Sequence, residues 1–504
     1  MERYFLKAKN IYSFDDSFHE YSWALIENGR IKDLGVYELP KETDTLIYDF
    51  SEFIAIPGFI DTHVHLSSTA INEISLDLSN FSSIKDIIKA LEATRDSLPE
   101  GEWILAKEFD PDNIDEKRNI TKEELDQHFS KHPVLIIRKD AHSSIINSLG
   151  ESLLEFPEKS DEEILKGKIH QIAVGKVYQK IDPSLLVRGI LKTLRKAAEN
   201  GVSTIHALEG GYTSPPGTPQ LIMGLQQYFP IDVILYYQTT SINKVKSLNL
   251  HTIGGCLLVD GSISSLTAAL FEPYDIDKNS LGILYWDLDP LVNFIKTAHN
   301  EGLQIAFHAV GDRGIDLLLR AYKKVIKEFP KEDHRHRIEH FELPKKEHIK
   351  LVKDLGLTLS MQPAFLYFWG GTGNMYETYL GEDRAQNIIP LKSIFSEKIV
   401  AGGGSDSSVT PIDPILGVHS AVNHPNPQEK ISIKEAIKMF TFNSAYIGFL
   451  DKEKGSIEKG KIADIVFLNE DPFKIDPQKI KASLEVKVNI SKGRIVYKDV
   501  KLKT

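Results

Sequence analysis

Two histidines separated by one valine, His63-Val64-His65, offer the clearest chemistry in this sequence. Side chains alternate along a strand, so both imidazoles project to one face while Val64 points away. Two imidazoles on one face of a rigid strand form half of a metal site. A histidine pair alone is a frequent chance match, so its meaning depends on the rest of the chain. Downstream, short strand-like runs end in further polar residues: His308 after Ile305-Ala306-Phe307, His340 after Arg337-Ile338-Glu339, and Asp406 after Gly402-Gly403-Gly404-Ser405. Between the histidine pair and His308, Cys256 or Asp260 closes another apolar run. Imidazole and carboxylate at such points are a donor set for divalent metal, most simply Zn²⁺. Singly, each residue has an ordinary role. A histidine satisfies a strand end, an aspartate caps a turn, and a free cysteine packs as a small hydrophobe. Their recurrence at the ends of successive strands favours the metal.

The elements that must position these residues repeat as helix, glycine, short apolar strand and polar terminus. Asp182-Pro183 and Asp289-Pro290 are helix starts, Gly201 and Gly302 are stops, and Val202-Ser203-Thr204-Ile205-His206 is one of the strands after such a stop. Leu186, Ile190, Leu194 and Ala197 form the apolar stripe of the first of these helices. About eight such strands predict an α/β fold, a (β/α)₈ TIM-type barrel over residues 57–450. An open doubly wound sheet is the alternative, but no Gly-x-Gly-x-x-Gly follows a strand. Residues 67–180 exceed an ordinary βα loop and predict an inserted subdomain over the barrel mouth, where substrate choice would reside. Ser432-Ile433-Lys434-Glu435 is a capping box, and the last barrel helix is expected to run from it to about Tyr446. Residues 1–56 read as β, with a hairpin at Asn28-Gly29, and residues 451–504 mirror them. Neither end has enough strands to stand alone, which predicts one composite β-sandwich built from both termini.

Bulk properties narrow the partners. The 504 residues carry 60 Lys and Arg against 71 Asp and Glu, a formal net charge of −11. That balance disfavours nucleic acid and anionic membranes as partners and points to a small-molecule substrate. The single cysteine, Cys256, excludes an internal disulfide and suits a reducing compartment. With neither a signal-like start nor a bilayer-length apolar run, the expected location is cytoplasmic. A homo-oligomer is compatible with these properties.

Two strings mislead. His336-Arg337-Ile338-Glu339-His340 matches the His-x-x-Glu-His of some metallopeptidases, which requires a helix, whereas its surroundings here favour a strand. Gly175-Lys176 lacks the earlier glycine of a phosphate loop.

The run from Pro57 to Leu66, Phe307-His308-Ala309-Val310-Gly311-Asp312-Arg313, Arg335-His336-Arg337-Ile338-Glu339-His340, Ser360-Met361-Gln362-Pro363 and Gly404-Ser405-Asp406 resemble the amidohydrolase superfamily. With Lys139-Asp140-Ala141-His142-Ser143 and Gly460-Lys461-Ile462-Ala463-Asp464, they resemble more narrowly its YtcJ-like branch, which includes N-substituted formamide deformylases. The resemblance implies one or two Zn²⁺ ions, or another divalent metal: His63, His65 and Asp406 on one, His308 and His340 on the other. It also implies that Cys256 stands where the branch usually carries a carboxylated, metal-bridging lysine. A thiolate can bridge in its place. The implied reaction is hydrolysis of a C–N bond in a small N-substituted amide or formamide, with hydroxide generated at the metal. Asp406 would act as general base and then acid, and His142 is a candidate for stabilising the oxyanion. Asp312 would either orient His308 or cap a helix. Deamination of an aminated ring by the same centre, and a non-catalytic barrel, are the rival readings.

Overall fold

The computed structural model describes residues 3–40, 45–139, 143–154, 164–211 and 214–500. Eight strands form one parallel sheet, each paired with the next in chain order: β1 (Phe59–Val64), β2 (Val202–Glu209), β3 (Asp232–Tyr237), β4 (Thr252–Leu258), β5 (Gln304–Ala309), β6 (Arg337–His340), β7 (Thr358–Met361) and β8 (Ala401–Gly403). Every residue of β1, β2 and β5 is buried, the pattern of parallel strands covered on both faces. The two sheet edges meet just beyond β8. The Asp406 N–H donates to the His63 carbonyl at 2.8 Å, and the His65 N–H to the Ser407 carbonyl at 2.7 Å. The sheet therefore closes as the expected barrel, and its seam lies on residues of the candidate site.

Helices alternate with the strands. Asp312–Glu328, between β5 and β6, buries Ile315, Leu318, Leu319, Tyr322 and Val325 along one stripe. The last barrel helix departs from the expected single run and breaks into Ile433–Met439 and Phe442–Ile447. The cause is local. The Phe440 carbonyl accepts the Ile60 N–H at 2.7 Å, and Thr441 leaves helical geometry with φ −130° and ψ −96°. At Phe440 the chain thus pairs with barrel strand β1 where the helix is interrupted.

Strand β4 carries a bulge. Gly254 pairs with Ala306 and Leu257 with Phe307, so Gly255 and Cys256 are extra residues against β5. Gly254 and Gly255 both have left-handed φ, +95° and +94°, and a Cβ on Gly254 would stand 2.1 Å from the Ala306 carbonyl oxygen. Only glycine fits that approach.

Strands from both ends of the chain join one seven-stranded sheet, in the order Arg494–Lys498, Val486–Ser491, Ile465–Leu468, Leu46–Pro57, Arg3–Tyr12, Glu20–Glu27 and Arg30–Gly35. Asn28 and Gly29 take the hairpin turn with φ of 51° and 78°. Leu6, Ile11, Ile26, Ile465, Phe467 and Val488 lie in its apolar core.

A second compact unit comprises Leu66–Thr193 with Gly210–Thr218. It has its own five-stranded sheet and its own core, which includes Ile87, Leu91, Ile104, Phe109, Leu125, Phe129 and Ile136. Helix Lys122–His128 starts in a full capping box between Thr121 and Glu124. Gly175 and Lys176 lie within a helix, Gly167–Tyr178, rather than a phosphate-binding loop. Among the described residues, no helix is long and apolar enough to cross a membrane.

Candidate metal centre

The closing seam brings the first group of residues together. Asp406, with φ 55°, turns its carboxylate so that Oδ1 lies 3.2 Å from His63 Nε2 and 3.2 Å from His65 Nε2. Asp61 holds the turn behind them, accepting the N–H of His63 at 3.1 Å and of Ser405 at 3.0 Å. Opposite, β5 and β6 end side by side, with the rings of His308 and His340 4.4 Å apart between centroids. The β4 bulge carries Cys256, whose Sγ lies 3.5 Å from His308 Nδ1. Donor atoms of His63, Cys256 and His340 lie within 4.8 Å of one another, as do those of His63, His65 and Asp406.

Partners behind the imidazoles fix which nitrogen faces the pocket. His63 donates its Nδ1–H to Glu339 Oε2 at 2.8 Å, which leaves the lone pair on Nε2. His340 donates Nδ1–H to Gln362 Oε1 at 2.8 Å, again leaving Nε2. His308 donates Nε2–H to the Gly261 carbonyl at 3.1 Å, so its lone pair is on Nδ1, facing Cys256. Nε2 of His63 and Nε2 of His340 are buried and accept no hydrogen bond. Buried acceptors aimed at one point, beside a thiol and a carboxylate, are what a divalent cation requires.

The electrostatics agree. Burial raises the Cys256 thiol, but the imidazoles of His308, His340 and His63 together outweigh it and hold the group well below its ordinary range. Burial likewise opposes charge on Asp406, and His63, His65 and His340 together reverse this, keeping the carboxyl well below its usual value. Against burial, Asp406 with Cys256 and Glu339 lifts His63 well above its ordinary value, Asp406 and Cys256 bring His65 to about 10, and Cys256 with Asp260 and the Gly261 carbonyl brings His308 to about 9. Thiolate and carboxylate thus attract positive charge into a buried pocket, and the residues present fit a resident metal.

All six residues expected as ligands converge: His63, His65, Cys256, His308, His340 and Asp406. His142 lies outside the described residues. Asp312 fills neither of its expected roles. Its Oδ1 accepts the Phe271 N–H at 2.9 Å, its Oδ2 lies 3.6 Å from Lys345 Nζ, and Gly311 occupies the N-cap of the helix Asp312 begins. Asp260 supports the end of β5 instead. Its carboxylate accepts the N–H groups of Ala269 and Gly311, both at 2.8 Å, and of Val310 at 2.9 Å.

Sequence reasoning misses Glu339 and Gln362 as partners of the site, although both stand inside motifs that carry the family resemblance. Glu339 precedes His340, and regular alternation sends neighbours to opposite faces. The structure escapes that rule because His340 has φ 72°, which ends the alternation at the strand terminus. A charged pair, Arg337 and Glu339, within a wholly buried strand was the available signal. His336 of the same string serves the opposite end of β6, bonded to His299 at 2.8 Å and to the Ile305 N–H at 3.1 Å. A cavity of about 610 Å³ at that end, lined by Val233, Thr252, Gln304 and His336, includes none of the six convergent residues.

The family described as Amidohydrolase family matches residues 48–497. The chain is similar to the putative amidohydrolase YtcJ of Bacillus subtilis (strain 168), 28% identical over 94% of this chain and 95% of that protein. It is similar to the N-substituted formamide deformylase of Arthrobacter pascens, 24% identical over 89% of this chain and 90% of that protein. Among solved structures, an uncharacterized metal-dependent hydrolase from Pyrococcus furiosus is similar with a TM-score of 0.81 and 26% identity, covering 94% of this chain and 100% of that one.

Proposed function

This chain belongs to the amidohydrolase family, and from that premise we propose that it hydrolyses a C–N bond of a small N-substituted amide or formamide. The observation that carries the reading is the convergence of His63, His65 and Asp406 with Cys256, His308 and His340 at one end of the barrel. His63, His65 and Asp406 would hold one ion, His308 and His340 the other, with Cys256 between them. Bound divalent metal, Zn²⁺ in this reading, lowers the pKa of water towards about 7 and polarises a carbonyl oxygen.

The chain's own residues supply positioning and proton transfer. Glu339, Gln362 and the Gly261 carbonyl keep His63, His340 and His308 in the tautomers that face the pocket. Asp406 takes a proton from the attacking water and returns it to the departing nitrogen. The carbonyl carbon gains the water oxygen, the C–N bond breaks, and the products are a carboxylate and an amine. The relative named N-substituted formamide deformylase supports this substrate class.

The test is incubation of purified, Zn²⁺-loaded protein with a panel of N-substituted formamides and amides. Stoichiometric amine and carboxylate, lost on chelation and restored by metal, are the expected products. Ammonia released from aminated rings, with the amides untouched, would replace this reading with a deaminase. A protein that takes up no metal would overturn both.

A further inference from the structure

Two charged side chains lie wholly inside the barrel, behind the pocket. Arg337 and Glu339 have no solvent exposure. Arg337 donates Nε–H to Glu339 Oε1 at 2.7 Å and an Nη2–H to Glu339 Oε2 at 2.8 Å, a two-pronged pair. The same Nη2 donates to the Thr62 carbonyl at 2.8 Å, and Nη1 donates to His206 Nδ1 at 2.9 Å. The guanidinium lies 4.2 Å from the centroid of the Tyr236 ring. Glu339 Oε2 then accepts His63 Nδ1–H. An unbroken chain of contacts therefore runs from His206 and Tyr236 on β2 and β3, through Arg337 and Glu339 on β6, to His63 on β1.

A buried ion pair is a poor device for stability alone, because desolvation consumes most of its attraction and apolar residues of similar volume often do as well. Its other use is to fix one arrangement where several are open. His63 has two tautomers and can flip its ring; a carboxylate at Nδ1 selects one, and Arg337 prevents that carboxylate from turning. His63 is also the residue common to both triads of convergent donors.

We infer that Arg337 and Glu339 are positioning residues of the metal pocket: they hold His63 with Nε2 presented to the ion, and so set metal affinity without touching metal or substrate. This rests on the metal reading proposed above. The expected effect comes from how much outer partners of ligand histidines contribute, about ten- to a hundredfold in metal affinity.

The decisive variant is the double substitution Arg337→Met with Glu339→Leu, which replaces the pair by apolar side chains and leaves neither charge buried alone. The full-length protein, stripped and reloaded with Zn²⁺, is titrated against a chromophoric chelator, and its fold is followed by circular dichroism. Co²⁺-loaded samples report ligand geometry through their visible spectrum. A folded double variant whose Zn²⁺ Kd rises about ten- to a hundredfold, with an altered Co²⁺ spectrum, supports the inference. A folded double variant with wild-type Kd and spectrum overturns it and makes the pair a packing device. Should that variant not fold, Glu339→Gln decides: it retains an acceptor for His63 but loses the charge that Arg337 grips. A raised Kd in Glu339→Gln supports the inference, and an unchanged one overturns it. Wild-type protein that binds no Zn²⁺ would instead defeat the underlying metal reading.

Discussion

Substituting Cys256 by alanine separates two roles for a thiol that is 8% exposed and packs beside Leu208, Tyr236 and Ala306. If the sulfur only fills space, its loss leaves a methyl-sized void costing about 1 kcal/mol and leaves metal binding intact. If the sulfur is a ligand, the loss exceeds that of a residue that merely orients a ligand, so metal affinity falls by at least about a hundredfold, or roughly 2.7 kcal/mol. The geometry favours the second outcome. Two glycines with left-handed φ extrude Cys256 from β4, and its Sγ comes within 3.5 Å of the His308 nitrogen that carries the lone pair. A bulge that displaces a residue out of register is an unnecessary device for burying a small apolar group. The assay is equilibrium dialysis at free Zn²⁺ held ten times above the wild-type Kd, with metal analysis of the retained protein. By mass action, occupancy of the site served by Cys256 falls from about 0.9 in wild type to about 0.1 in the variant. Loss of the near-ultraviolet thiolate-to-metal charge-transfer band in Co²⁺-loaded protein is the independent check. Occupancy near 0.9 in folded Cys256→Ala would refute the reasoning and return Cys256 to the core.

Other perturbations test separate parts of the account. Asp406→Asn should lower turnover by about 10²–10⁴-fold while substantial metal stays bound; turnover at the wild-type rate would remove Asp406 from proton transfer. Gly254→Ala places a Cβ 2.1 Å from the Ala306 carbonyl oxygen at a φ of +95°, which should destabilise the barrel by about 1–3 kcal/mol and weaken metal binding; unchanged melting and metal content would show that the bulge relaxes freely. In the second unit, the hydrogen bond from Arg118, joined by the Thr121 N–H, lowers Glu124 from 4.5 to about 2. A depressed carboxyl contributes stability above its unfolded pKa and loses it as pH falls from about 4.5 towards about 2. Because Glu124 is partly exposed, its worth is nearer the roughly 1 kcal/mol of a cap than the full shift implies. Glu124→Gln should therefore lower stability at pH 7 and flatten the acid limb in urea unfolding, and an unaltered limb would contradict the Arg118–Glu124 pairing as the source of the shift.

Much of the architecture was legible because it rests on local signals. The start and stop residues around each helix and the apolar runs between them sufficed to count eight strands, and the family match confirms what the His-x-His run and its companion motifs resemble. The single helix expected from Ser432 to about Tyr446 failed for a non-local reason. Its break depends on a hydrogen bond from Ile60, far away in the chain, and nothing within 432–446 announces that. Asp312 failed similarly. Four residues beyond His308 it looked close enough to orient that ring, but Phe271, from another loop, claims its carboxylate.

What remained hidden at the site has one physical origin. Strand alternation is the rule by which His63 and His65 were placed on a common face, and the same rule separates Glu339 from His340. The chain breaks the rule where the chemistry is densest, at His340 and Asp406 with left-handed φ and at the Gly254–Gly255 bulge that delivers Cys256. Each departure costs conformational energy, and each converts a residue that regular geometry would aim elsewhere into one that faces the pocket. Glycine betrays such a departure in a sequence, because little else tolerates the conformation; a histidine or aspartate at positive φ does not. The bulge could therefore have been read from Gly254-Gly255, whereas the carboxylate that holds His63 could have been suspected only from its cost. Arg337 and Glu339 are charges in a strand buried from end to end, and a desolvation penalty of that kind calls for a function.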